Sequence, residues 1–169
     1  LVFDYRQWGE ALVKKIGTWT GMPVSIGMAP TRTLAKAAVW FAKKWKGYNK
    51  VCIIENEEQR EKALKSLPIE EVWGIGWRGK SKCDYYGIKN AFDFTYKSES
   101  WVRKLFTITG VRTWRELKGL SSIESVLTGD KQTICTSRSF DGMEQDKGKL
   151  EMYISNYAAH CAQKVRAQK

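Results

Sequence analysis

The sequence predicts a layered α/β unit that is followed by an all-helical unit and then by one further strand and helix. Two short apolar segments, 24–28 and 50–54, have the length and composition of buried strands. Each follows a segment whose apolar residues recur at helical spacing, 4–18 and 32–45. A helix–strand–helix–strand order is typical of a layered α/β architecture.

Helical patterns replace the strand signals after the second apolar segment. Residues 57–67 predict a charged amphipathic helix, and a glycine-containing helical hairpin is expected at 68–86. Two further short helices are expected at 99–106 and 111–117, parted at Gly110. This part of the chain therefore predicts a small all-helical unit.

The end of the chain has a different pattern. Residues 132–140 alternate like a half-buried strand, and 150–166 predict a closing helix. One strand and one helix do not form a stable domain alone, so we expect the sequence to be part of a longer protein. We divide the chain into four parts, which are 1–54, 55–121, a polar linker at 122–131, and 132–169.

The chain carries a large positive charge. Lysine and arginine number 29 against 18 acidic residues, a net charge of +11 in 169 residues. This surplus favours a polyanionic partner, because neutralised phosphates release counterions, although it also occurs as a solubility feature. No apolar run approaches the length of a membrane span, and nothing resembles a signal peptide. We expect a cytoplasmic protein.

Residues that commonly carry catalysis or bind metals form no pattern in this sequence. The four cysteines lie far apart without a CxxC spacing, which favours reduced thiols over a zinc site or a disulfide framework. No pair of carboxylates lies in an apolar strand, as two-metal phosphoryl chemistry requires. Taken alone, the chain is expected to bind a ligand and not to catalyse a reaction, with no catalytic and no metal-ligating residue.

The segment 32–45 carries the most informative charge pattern. At about 100° per residue, Arg32, Lys36 and Lys43 fall close together on the face opposite the apolar stripe. No acidic residue occurs between Glu10 and Glu55. Three unpaired cations in a row suit the phosphates of a nucleotide triphosphate, and a solvated basic face is the alternative. The apolar stripe itself comprises Leu34, Ala38, Phe41, Ala42 and Trp45.

A second phosphate-binding pattern lies in the predicted hairpin. A Gly-x-Gly turn, Gly74-Ile75-Gly76, precedes a helix that carries Arg78, Lys80 and Lys82. Such a turn exposes backbone amides at a helix N-terminus, where the helix dipole favours an anion. The pattern predicts a helix-hairpin-helix that binds a DNA phosphate without reading bases, and an ordinary helix C-cap is the alternative.

Arg138 lies in the alternating segment near the end of the chain. The outward positions of this predicted strand carry small polar residues, which can bond to a nucleic-acid backbone. By pattern alone, an ordinary amphipathic edge strand is favoured, with Arg138 as a candidate DNA contact.

Four segments resemble motifs of the Y-family DNA polymerases, in the order in which that family has them. Residues 24–36 (VSIGMAPTRTLAK) resemble a palm segment, and 67–76 (LPIEEVWGIG) are similar to the thumb hairpin. Residues 115–119 (RELKG) and 136–140 (TSRSF) resemble stretches that mark the UmuC branch, the catalytic subunit of DNA polymerase V.

The resemblance implies a right-handed polymerase. Residues 1–54 would end the palm, 55–121 would form the thumb with its helix-hairpin-helix, and 132–169 would begin the little finger. Lys43 matches the palm lysine that contacts the triphosphate of the incoming nucleotide. The carboxylates that bind Mg²⁺ in this family precede the position of Leu1, so we expect no cofactor in this chain itself.

The function that the resemblance implies is error-prone translesion DNA synthesis in SOS-type damage tolerance. The full protein would be a DNA-directed DNA polymerase that uses Mg²⁺, primer–template DNA and an incoming dNTP. A UmuD-type subunit, a RecA filament and the sliding clamp are implied as partners. A stand-alone, non-enzymatic helix-hairpin-helix DNA-binding adaptor is the alternative, and an RNA-binding domain is the least supported because RNP-type aromatics are absent.

Overall fold

The structure, a computed structural model, describes residues 3–122 and 133–168. The chain divides into two compact units, Leu1–Glu124 and Ser125–Lys169. In chain order, the elements of the first unit are α1 (Tyr5–Thr20), β1 (Ile26–Met28), α2 (Arg32–Lys44), β2 (Val51–Ile53), α3 (Glu57–Ser66), α4 (Trp77–Tyr85), α5 (Ala91–Thr95) and α6 (Glu99–Leu117). The second unit contains α7 (Lys147–Arg166).

The α/β part of the first unit is a parallel pair of strands that is covered by α1 and α2. Ile26 lies opposite Val51, and the register continues to the end of both strands. Both strands occur where the sequence predicts them, but each is shorter than predicted. Gly27 lets β1 approach α2 closely, because a Cβ at this position would collide with the backbone of Ala35 and Val39.

The predicted apolar stripe of α2 faces the core, with one exception. Leu34, Ala38, Phe41 and Ala42 are buried, whereas Trp45 is 40% exposed. The helix ends at Lys44, and Trp45 has an extended backbone (φ −112°, ψ 120°), so the helical periodicity no longer applies to it. The Trp45 ring nevertheless stacks on Phe41, with ring centroids 5.1 Å apart.

The helical part differs from the prediction in three places. The first arm of the hairpin is one 3₁₀ turn, Ile69–Glu71, and not an α-helix, and α5 has no counterpart in the prediction. The two predicted helices are present and the first ends at residue 106 as predicted, but the break between them lies at Thr107 (φ 60°, ψ −164°) and not at Gly110, which is helical. Gly110 is buried, and a Cβ there would collide with Phe106, so packing explains this glycine.

Residues from both the α/β part and the helical part contribute to one buried hydrophobic cluster. It draws on α2, α3, the hairpin, α5 and α6, with Leu34, Leu67, Ile69, Phe94 and Leu117 among its most buried members. The two parts therefore share a core within the first unit.

The second unit contains one helix, α7, which Asp146 caps by accepting a hydrogen bond from the Lys149 amide (3.1 Å). The predicted strand at 132–140 is wrong for its described residues, since 133–140 form no strand. A strand needs a neighbouring backbone for its hydrogen bonds, and α7 supplies none. The predicted linker 122–131 lies outside the described residues, apart from Ser122. None of the described helices is both long enough and apolar enough to cross a membrane.

Candidate nucleic-acid interface

Three cations of α2 form an exposed row on the side of the helix away from the core. Arg32, Lys36 and Lys43 are all exposed, and none of them forms an ion pair with a residue in the described part of the chain. The structure therefore brings together the three cations that the sequence predicts on one face. We call these residues the cation row.

The cation row begins near the carboxyl ends of the two strands and extends along the α2 axis away from them. α2 begins four residues after β1 ends, so Arg32 and Lys36 lie in its first two turns, nearest the carboxyl edge of the pair. Lys43 lies seven positions beyond Lys36, roughly 10 Å further along the axis at 1.5 Å per residue. In open α/β sheets, ligands bind outside the carboxyl ends of the strands.

The hairpin turn has the tight geometry that its glycines predict. Gly74 has φ +93°, a left-handed conformation that favours glycine, and a Cβ there would lie 2.8 Å from the Thr113 hydroxyl. That hydroxyl, on α6, donates to the carbonyl oxygen of Trp73 (3.3 Å). The Ile75 side chain is buried, and its amide donates to the Val72 carbonyl (3.0 Å), so Ile75 anchors the turn from within.

Several backbone amides of the hairpin turn and of the start of α4 have no hydrogen-bond acceptor among the described residues. Gly76 precedes the helix and forms no side-chain cap. Among the described residues, the amides of Gly74, Gly76, Trp77 and Arg78 donate no hydrogen bond. A helix N-terminus with unpaired amides favours an anion. We call these four amides the hairpin amides.

The cations that follow the hairpin have three different environments. Arg78 is exposed and lies over the Trp77 ring, with the guanidinium carbon 5.0 Å from the ring centroid. Lys80 forms an ion pair with Glu70 across the hairpin (3.2 Å). The Glu70 backbone amide and then Lys80 hold the pKa of the Glu70 carboxyl below its usual value.

Lys82 is directed toward α6. Its Nζ donates to the carbonyl oxygen of Leu105 (2.7 Å), a carbonyl next to the break at Thr107. Carbonyls that precede the end of a helical segment lack helical donors, and Lys82 provides a donor to the carbonyl of Leu105. Nothing in the local sequence signals this bond, because Leu105 is 23 positions away.

Arg138 lies in the second unit and is exposed. Its segment forms no strand, but exposed and half-buried residues still alternate from Thr133 to Ser137.

The described residues provide no metal centre of their own. Across 3–122 and 133–168, no three His, Cys, Asp or Glu side chains come close enough to hold an ion. Several acids instead form ion pairs. Glu99 bonds Arg115 (2.8 Å) and Arg103 (3.0 Å), and these bonds hold the pKa of its carboxyl below the usual value.

One buried carboxylate was missed by the sequence reasoning. Glu116 is fully buried on α6, and its Oε2 accepts hydrogen bonds from the amide and the hydroxyl of Thr33, at 2.8 and 2.9 Å. The sequence of 115–119 shows a family resemblance, but it could not predict the contact of Glu116 with Thr33, which is 83 positions away.

The chain is similar over nearly its whole length to longer bacterial proteins. It is 36% identical over 166 residues to protein ImpB of Salmonella typhimurium, covering 95% of this chain and 39% of that protein. It is 34% identical over 167 residues to protein UmuC of the same species, covering 98% of this chain and 40% of that protein. DNA polymerase IV 1 of Halalkalibacterium halodurans is 35% identical over 99 residues, which are 59% of this chain and 23% of that protein. No family model matches the chain.

These relatives are Y-family DNA polymerases. The chain belongs to the UmuC-type branch of that family, and it spans about 40% of the length of the curated relatives it matches.

Proposed function

We propose that this chain is the phosphate-binding part of an error-prone translesion DNA polymerase. The cation row binds the triphosphate of the incoming nucleotide, and the hairpin amides bind a backbone phosphate of primer–template DNA. In this proposal 1–54 end the palm, 55–121 form the thumb, and 132–169 begin the little finger. The observation that carries it is that a chain of the UmuC-type family has two separate groups of cationic or amide donors without partners among the residues described.

The position of the cation row supports a nucleotide ligand. Arg32 and Lys36 lie nearest the carboxyl edge of the parallel strands, where α/β proteins bind ligands. Exposed cations without acidic partners keep their charge available for phosphate oxygens, and bonds between two charged groups are the strong ones. Lys43, at the other end of the helix, extends the same row.

The hairpin supports a DNA ligand that is held without base recognition. Amides at a helix N-terminus bind phosphate through the helix dipole, and such contacts position a duplex but carry no sequence information. Arg78 is the cation that follows these amides most closely, whereas Lys80 and Lys82 already have partners in the protein. Arg138 provides a further phosphate contact from the second unit.

Catalysis by the whole polymerase requires more than this chain provides. The described residues do not form a site for Mg²⁺. We propose that carboxylates outside this sequence bind the metal and that the chain alone does not extend a primer. We propose that the whole polymerase acts in SOS-type damage tolerance in the cytoplasm. Its partners there are a UmuD-type subunit, a RecA filament and the sliding clamp.

A binding experiment with the purified chain tests the DNA part of the proposal. Fluorescence anisotropy with a labelled primer–template should give an affinity that falls as salt rises, with little dependence on sequence. Arg78→Ala should weaken binding and reduce the slope of log affinity against log salt by about one. Lys14→Ala, the same charge change on α1, is the matched control and should leave both values unchanged. Equal effects of the two variants would contradict the assignment of the hairpin.

A further inference from the structure

Glu116 lies between the two proposed phosphate-binding surfaces and belongs to neither. Its side chain is fully buried in the interface of α6 and α2. Oε2 accepts two hydrogen bonds from Thr33, in the first turn of α2. Oε1 accepts a third from the Ser122 amide (3.3 Å). A buried carboxylate is tolerated only with such partners, so the arrangement is specific to a carboxylate.

The backbone of Glu116 holds the beginning of α2 as well. Its carbonyl oxygen accepts a hydrogen bond from the Thr31 hydroxyl (2.8 Å). The same hydroxyl caps α2 by accepting the Leu34 amide (3.4 Å). One residue of α6 therefore fixes both Thr31 and Thr33, which flank Arg32.

The same turn of α6 also holds the hairpin. Thr113 lies one turn before Glu116, and its hydroxyl bonds the carbonyl of Trp73 and contacts the turn at Gly74. Thr113 and Glu116 are both buried. A single buried turn of α6 thus contacts the start of the cation row and the hairpin that carries the amides.

We propose that Glu116 is a positioning residue for nucleotide binding. By fixing the first turn of α2 to α6, it sets where Arg32 and Lys36 stand relative to the DNA held by the hairpin. This inference rests on the proposed function, since it assigns the nucleotide triphosphate to the cation row.

Glu116→Gln in the whole polymerase tests the inference. A carboxylate accepts hydrogen bonds at both oxygens, but the glutamine amide turns an NH₂ group toward either Thr33 or Ser122, so one donor loses its acceptor. We expect a dNTP KM about three- to tenfold higher, with primer–template affinity unchanged. A residue that serves stability alone would lower the active fraction and the melting temperature without changing KM.

A double-mutant cycle separates positioning from an independent effect. Lys36→Ala alone should raise the dNTP KM about tenfold or more. If Glu116 acts through the position of Lys36, adding Glu116→Gln to Lys36→Ala should change KM by less than about twofold. Additive effects would overturn the inference and leave the proposed function intact. An unchanged KM in Lys36→Ala would overturn the nucleotide assignment, and the inference with it.

Two further variants keep the test decisive if Glu116→Gln folds poorly. Thr33→Val removes the hydroxyl bond to Glu116 but keeps the amide bond, and it should raise KM in the same direction by a smaller factor. Glu99→Gln is the same chemical change in the same helix at an ion pair with Arg115, and its KM should match that of the unmodified enzyme. A Thr33→Val enzyme with an unchanged KM, or a Glu99→Gln enzyme with a raised one, would contradict the proposal.

Discussion

Lys36 and Lys43 share one face of α2 but stand at different distances from the carboxyl edge of the strands. The family resemblance assigns the triphosphate to Lys43, whereas the position of the strands favours Arg32 and Lys36. The two lysines carry the same charge and are both exposed, so the alanine variants differ only in where along α2 the charge is lost.

We expect Lys36→Ala to reduce kcat/KM for nucleotide addition by the whole polymerase about ten- to hundredfold. The reason is the loss of a charge-assisted bond that is worth roughly 1.5–3 kcal/mol. Lys43→Ala should lose less, and both variants should fold normally, since exposed lysines in a helix tolerate alanine. Single-turnover kinetics measure both. If Lys43→Ala reduces kcat/KM as much as Lys36→Ala or more, the triphosphate would have to be assigned to the end of α2 that carries Lys43.

At the scale of elements, the close contact of β1 with α2 depends on Gly27. We expect Gly27→Ala to destabilise the chain by about 1–3 kcal/mol, because the added Cβ meets backbone atoms of α2 that cannot move aside. Gly17→Ala on α1 is the matched control. Apart from the helix's own backbone and the adjoining residues, no atom of the described residues lies within 4 Å of its added Cβ, so the change should stabilise by about 0.5–1 kcal/mol through helix propensity. Urea unfolding measures both, and equal stabilities would contradict the packing.

The link between α4 and α6 gives a prediction of a different kind. Lys82→Ala removes the donor to the Leu105 carbonyl and should lower stability by about 1 kcal/mol. DNA affinity should fall less than in Arg78→Ala, because the Lys82 ammonium is already bonded within the protein. Urea unfolding and anisotropy on the two variants provide the comparison. A large loss of DNA affinity in Lys82→Ala at unchanged stability would contradict this prediction and indicate that Lys82 contacts DNA.

At the scale of the whole molecule, we expect the purified chain to bind primer–template and not to extend it. The described residues bring together no group of carboxylates that could hold Mg²⁺. A gel assay with primer–template, all four dNTPs and Mg²⁺ should show no added nucleotide at any chain concentration, with the whole polymerase as the positive control. Extension that survives further purification would show that a metal site exists within this sequence.

Local patterns in the sequence determined both strands, most of the helices and the faces that α2 presents. The 3.6-residue period of 32–45 predicted both the buried stripe and the cation row, and the strands at Ile26–Met28 and Val51–Ile53 lie inside predicted segments. Gly74 predicted the tight turn because a left-handed backbone conformation is a property of single residues. All of these features depend on residues that are close to one another in the sequence.

Tertiary structure alone decided which charged groups have partners within the protein. Lys80 pairs with Glu70 and Lys82 with the carbonyl of Leu105, so two neighbouring cations have different environments in the fold. The buried bonds between Glu116 and Thr33 are tertiary contacts as well. The absence of a strand at 133–140 also lies beyond the local pattern, because a strand needs a neighbouring backbone. Each depends on contacts between residues that are distant in sequence or on a neighbouring strand, and local periodicity contains no information about either.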